Sequence, residues 1–164
     1  MNINYIVNKL IKLIILFIGD SMISFLFYTF LPLLVGVISS IFSDTTFYGL
    51  VNKPPLSPPG IVFPIVWTIL YLLLGYSSYR VREDKDSLKL FYTNLAINGI
   101  WTLVFFNLQN YLQGFILIII MIILEIVILV RFKKIDELAF KLNIPYLLWL
   151  IFAAYLSLGV YILN

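Results

Sequence analysis

The sequence predicts an all-α integral membrane protein: a bundle of five transmembrane helices with the N-terminus in the cytoplasm and the C-terminus outside. Three observations carry this. Of 164 residues, 62% are hydrophobic and 12% charged, and the mean hydropathy is +1.04, whereas a soluble domain is about half apolar and a quarter charged. Five apolar runs approach the roughly 20 residues that cross a bilayer. Basic residues gather in alternate connections between those runs.

The chain opens with an N-terminal extension, residues 1–21, whose "INYIVNKLIKLIILFI" is apolar but carries Lys9 and Lys12. No A-x-A-like cleavage site follows it, so it reads as an interfacial helix or a cytoplasmic extension of the first span. The spans themselves are placed at residues 23–42, 61–79, 90–106, 111–130 and 142–163. They are continuous apolar runs, too long for the alternating strands of an outer-membrane barrel. In the first, Gly36 and Ser40 form a small-xxx-small pair that permits close helix approach. No linker or internal repeat divides residues 22–164, which read as a single membrane domain.

Charge supports the same division. Ten of the eleven Lys and Arg fall on one side: Lys9 and Lys12, then Arg80, Arg82, Lys85 and Lys89, then Arg131, Lys133, Lys134 and Lys141. Only Lys53 lies on the other. The positive-inside rule then places the N-terminus in the cytoplasm. The net charge of +3 is explained by topology and calls for no nucleic acid.

Composition also excludes chemistry. The chain has no Cys and no His, so it offers no disulfide, thiolate nucleophile, ordinary zinc, copper or haem-iron ligand set, or histidine base. Triad hydrolysis is excluded, and neither a metal nor a required cofactor is expected.

The polar and aromatic residues within the spans point inward. In the third, Asn94, Asn98, Trp101 and Phe105 share one helical face; an interhelical hydrogen bond and a ligand contact both remain open for the amides. In the fifth, Tyr146, Trp149, Ala153 and Ser157 share a face, and in the second Phe63, Trp67, Tyr71, Gly75 and Ser78 do so. Any one buried aromatic is ordinary packing. The chain's three Trp, one on each inward face, describe an aromatic cavity suited to a flat apolar ligand. Glu125 is the one acid inside a span, six residues before Arg131. It reads as an acid tilted toward the interface or kept protonated.

Between the first and second spans, "YGLVNKPPLSPPGIVFPIVW" holds five of the seven prolines. Pro54, Pro55 and Pro58 lock φ and forbid helix. Pro59 is expected in the first turn of the second helix and Pro64 a turn further on, bending it before Trp67. The segment reads as a stiff lid over Trp67.

Three ordered pieces, "LVNKPPLSPPGIVFPIVWTILYLLLG", "NLAINGIWTLVFF" and "IPYLLWLIFAAYLSLGVYILN", resemble the TspO/MBR family, the translocator or peripheral-type benzodiazepine receptor family, over residues 36–164. The resemblance implies a five-helix bundle, a homodimer, and hydrophobic aromatic ligands such as protoporphyrin IX and haem-related tetrapyrroles, held in a pocket capped by the first loop. It implies pocket roles for Tyr48, Trp67, Asn98, Trp101, Trp149 and Ala153, which Asn94 and Phe105 join by their shared face, and lid roles for Lys53, Pro54, Leu56, Pro58 and Pro59. The expected function is that of a membrane receptor, sensor or transporter for tetrapyrroles. The alternatives are a porphyrin-degrading enzyme dependent on Trp67 and Trp149, or a ligand-regulated membrane scaffold. A prokaryotic plasma membrane is the expected location, with a mitochondrial outer membrane as the alternative.

The chain also departs from the family pattern. Leu56 stands where the family has Trp, which removes a stacking surface from the lid; Asn94 replaces Gln, and Ser157 replaces Asn. Nothing after Lys141 is basic, which disfavours sterol recognition.

Overall fold

A computed structural model of the chain describes residues 3–164. Five α-helices account for almost all of them: α1 (Ile3–Ile41), α2 (Val62–Arg80), α3 (Lys85–Thr102), α4 (Tyr111–Ile135) and α5 (Glu137–Leu163), with no strand among the described residues. Four segments are long and apolar enough to cross a membrane: Ser21–Ile41 of α1, and all of α2, α4 and α5. The shorter α3 carries Lys85, Asp86, Lys89, Asn94 and Asn98 and is not among them.

No proline interrupts residues 3–31, so α1 runs on through the expected boundary near residue 22. Its 39 residues, at about 1.5 Å each, make a rod of ~58 Å, about twice the thickness of a hydrocarbon core. The first two residues of the predicted extension lie outside the described residues. Pro32 sits inside α1 and deprives the Tyr28 carbonyl of its helical donor. The Ser78 hydroxyl of α2 takes that place at 3.3 Å.

Helix starts follow side-chain chemistry. Asp84 accepts from Ser87 N at 2.8 Å, Asn110 from Gln113 N at 3.1 Å, and Asp136 from Ala139 N at 2.7 Å, each satisfying one orphan N–H of a first turn. The start of α2 corrects the reading of the prolines. Pro59 lies before the helix, where its carbonyl accepts from Val62 N; Pro64 is the residue in the first turn. Its missing N–H would have had no helical partner there, so it need not bend the helix.

The helices close into a ring. α1 packs on α2 and α3, α2 on α5, α5 on α4, and α4 on α3. Small residues set the closest approach: a Cβ on Gly75 would fall on the backbone of Thr29, and one on Gly36 on the ring of Tyr71. Inside, Ile118, Met121, Ile128, Phe132, Leu150 and Val160 are sealed. Outside, an apolar belt of side chains such as Phe27, Leu34, Ile69, Ile123 and Ile151 is exposed, as lipid contact requires.

Two ends follow from the contacts. At one, Arg80 pairs with Asp136, joining the connections that carry most of the basic residues. At the other, the first loop meets both the end of α3 and the end of α5. There α3 gives way to one wide π-type turn, Leu103–Asn107, in which Leu103 O accepts from Leu108 N at 3.0 Å.

Candidate functional site

Inside the ring lies a cavity of about 730 Å³ bounded by α1, α2, α5, the end of α3 and the first loop. Its aromatic wall is built from α2 and the π-type turn. Trp67 and Tyr71, four residues apart, stack with centroids 5.3 Å apart and planes 29° from parallel. Trp101 and Phe105 stack at 5.4 Å and 25°. The second pair spans the wide turn, and the ring of Phe105 fits against Gly114, where a Cβ would intrude. Of these four rings Tyr71, Trp101 and Phe105 are buried, and Trp67 is half-buried.

The mouth is made by the first loop. A short 3₁₀ turn, Thr46–Gly49, is capped by Asp44, which accepts from Thr46 N at 3.0 Å and from its hydroxyl at 2.6 Å. Those bonds hold the Asp44 carboxyl below its usual range. The turn presents Tyr48, half-buried with its ring 5.9 Å from Phe63; burial pushes its hydroxyl pKa up. The ammonium of Lys53 lies over the Tyr48 ring, 4.7 Å from the centroid.

The loop is fastened at several points. Asp44 N donates to Asn107 Oδ1 at 3.0 Å, and Asn107 Nδ2 to Phe42 O at 2.7 Å. Tyr155 donates to Pro55 O at 2.7 Å, Pro54 sits against Gly159, and Asn52 exchanges hydrogen bonds with Asn164.

Of the predicted site residues, Tyr48, Lys53, Trp67, Trp101, Phe105 and Ala153 line the cavity. Asn98 stands one layer behind and accepts from the Tyr71 hydroxyl at 2.6 Å. Asn94 lies a turn further along α3 and donates to Glu125 Oε2 at 3.0 Å. Glu125 is 1% exposed, so it faces the interior and does not tilt to the interface. Trp149 meets Trp67 edge-on at 6.4 Å, but it lines a separate groove of about 390 Å³ between α2 and α5. In the lid, Pro54 is buried against α5, whereas Leu56 is 83% exposed with φ of 65°. Neither they nor Pro58 and Pro59 line the cavity.

The structure adds wall residues outside the predicted site. Phe63, Tyr71 and Ser157 line the cavity; the helical periodicity had put them inward, and only their membership of the site was missing. Gly36 and Ser40 also line it, their signal being the small-xxx-small pair. Ser43 and Thr45 of the loop had no periodic signal. Among the described residues no cluster of acidic side chains forms that could hold a metal ion.

The TspO/MBR family model matches residues 28–163. A Tryptophan-rich protein TspO of Archaeoglobus fulgidus is 38% identical over 143 residues, covering 80% of this chain and 91% of that protein. A Tryptophan-rich sensory protein of Cereibacter sphaeroides is 33% identical over 105 residues, 62% of this chain and 66% of that one. A Translocator protein of Sus scrofa is 29% identical over 147 residues, 82% and 86% respectively.

Proposed function

The chain belongs to the TspO/MBR family, and from that premise we propose that it is an integral membrane receptor, sensor or transporter that binds tetrapyrroles of the protoporphyrin IX and haem type. The observation that carries the reading is the 730 Å³ cavity with its two aromatic stacks. Its volume falls in the range of small-molecule sites, and its wall is the kind that a flat conjugated ring covers well. The relatives named as sensory and translocator proteins favour sensing or carriage over chemistry.

On this reading all five helices span a prokaryotic plasma membrane, α3 burying its amides inside the ring. Ten of the eleven basic residues then face the cytoplasm, and the fastened loop faces outward. Residues 22–164 form one domain, which works as a homodimer. Ligand stacks on Trp67 and Trp101 beneath the loop, while Asn98 acts through Tyr71 and Trp149 supports Trp67 from behind.

The test is a titration of the purified protein in nanodiscs with protoporphyrin IX, followed by the shift of the porphyrin's Soret band. Saturable binding is expected. Trp67→Ala should weaken it by up to about tenfold, the worth of a lost aromatic stack, and Trp149→Ala by less. Unchanged affinity in a Trp67→Ala, Trp101→Ala double variant would remove the site.

A further inference from the structure

Glu125 lies apart from the cavity, well inside α4 and sealed from the surface. Its neighbours on the facing helices are polar but uncharged. From α3, Asn94 Nδ2 donates to Glu125 Oε2 at 3.0 Å and to Met121 O, one turn back on α4, at 3.3 Å. From α5, the Tyr146 hydroxyl reaches Asn94 Oδ1 at 3.4 Å and Met121 Sδ at 3.9 Å. Asn94, Met121 and Tyr146 are buried as deeply as the acid they surround.

No counter-charge reaches this place. α4 packs on α3, on α5 and on the wide turn. The charged side chains of α3 are Lys85, Asp86 and Lys89, those of α4 Arg131, Lys133 and Lys134, and those of α5 Glu137 and Lys141; all are exposed at helix ends, and the wide turn carries none. Arg131, the basic residue nearest to Glu125 along α4, lies about 9 Å further along the axis and about 120° around it. Among the described residues Glu125 has no ion pair, and its Oε1 has no hydrogen-bond partner. A carboxylate here would keep a full charge inside a membrane span with one hydrogen bond and no cation, which is costly. A proton cancels that charge directly. As a carboxylic acid, Glu125 still accepts from Asn94 through one oxygen and carries the proton on the other.

We propose that Glu125 is a proton-binding site, built where Asn94 of α3 and Tyr146 of α5 close over α4, and that it holds its proton at neutral pH. The step is the reversible gain of one proton by one carboxylate. Losing the proton leaves an unpaired anion in the seam, so α3 and α4 then part or admit water around it. The same face of α3 carries Asn98 behind the cavity and Trp101 in its wall. The proton site therefore stands next to the elements that shape the cavity, whatever ligand the cavity takes.

The experiment is infrared spectroscopy of the full chain in dodecyl maltoside, a detergent with no carbonyl of its own. At neutral pH the wild type should show the carbonyl stretch of a protonated carboxylic acid. Isotope labelling of the glutamate carboxyls should shift that band and so assign it without any substitution. The chain has three Glu, and the other two, Glu83 and Glu137, are exposed and paired with Arg82 and Lys141. Glu125→Gln should abolish the band, and Asn94→Leu should move it to higher frequency as the acid's carbonyl loses its donor. Strong alkali should bleach it reversibly. A wild type with no labelled band at neutral pH, or a band that survives Glu125→Gln, overturns the proposal. A band that fades on adding sodium chloride but not choline chloride overturns it too, by making the ligand a metal cation. An unmoved band in Asn94→Leu overturns the part given to Asn94.

Discussion

The side-chain amide of Asn94 donates to Glu125 Oε2 at 3.0 Å across the packing of α3 on α4, and both residues are sealed from the surface. The same amide reaches Met121 O at 3.3 Å, and the Tyr146 hydroxyl reaches Asn94 Oδ1 at 3.4 Å. Among the described residues Glu125 has no other hydrogen-bond partner, its Oε1 standing alone. Removing the amide should therefore cost more than removing the acid. Asn94→Leu is expected to destabilise by about 1–3 kcal/mol, the cost of a buried polar group left bare. Glu125→Leu should cost less, and the double variant should recover part of the Asn94→Leu loss. Melting temperatures in detergent for the four proteins of the cycle decide this; strictly additive losses would deny the coupling.

Packing of α1 on α2 gives a second expectation. At Gly75 an added Cβ meets the backbone of Thr29, which cannot step aside, whereas at Gly99 it meets the Ser39 hydroxyl at 3.1 Å and Val35 at 3.6 Å. Gly75→Ala should destabilise by about 1–3 kcal/mol through overpacking, and Gly99→Ala should change stability little. A thermal melt that ranks the two the other way would refute this account of the helix contact.

Acid should loosen the end of the bundle that carries Arg80. The Arg80 guanidinium donates to Asp136 Oδ2 at 2.9 Å through Nε, and this contact, helped by the Ala139 N–H, holds the Asp136 carboxyl below the usual range. The folded value therefore lies under the unfolded one of about 3.9. Asp136 stabilises fully above pH ~4, and that contribution fades as pH falls through the folded value. The melting temperature of the wild type should exceed that of Asp136→Asn by a constant margin at neutral pH, and the margin should shrink as pH falls below about 4. A margin independent of pH would mean that the ion pair adds nothing.

Leu56 offers a gain. It holds φ at 65° in a left-handed conformation that costs a branched residue roughly 1–2 kcal/mol and that Asn tolerates better. Its side chain is 83% exposed, so little packing is lost on replacement. Leu56→Asn should raise the melting temperature by a few degrees and leave porphyrin affinity unchanged. A fall in affinity would return Leu56 to the binding surface.

Helix positions were readable because apolar runs of span length admit few other structures, and the inward faces because of the 3.6-residue period. That period has limited resolution. Trp149, three residues after the buried Tyr146, is turned about 60° around the helix axis, enough to bring it to the α2 groove while it still touches Trp67. Asn94, four residues before Asn98, lies about 6 Å along the axis, beyond the cavity and beside Glu125. The loop fastenings were out of reach because Asn107, Tyr155 and Asn164 act across long sequence separations through one or two hydrogen bonds each, which no local pattern encodes. The start of α2 was misplaced because Pro59 and Pro64 are both compatible with a first turn.

The wide turn at Leu103–Asn107 bears on how the chain tolerates changes of length. An α-helix closes its hydrogen bond with one residue fewer than this turn contains, so residues 103–107 hold a residue that regular helix would not need. A deletion elsewhere in α3 would rotate Asn98 and Trp101 away from their partners. A deletion within this turn would convert it to ordinary helix, leave everything up to Thr102 in register, and pass the rotation to the short connection before α4. The turn is thus where this fold can absorb a one-residue indel, with the adjustment falling on Phe105 at the edge of the cavity and sparing the amides behind it.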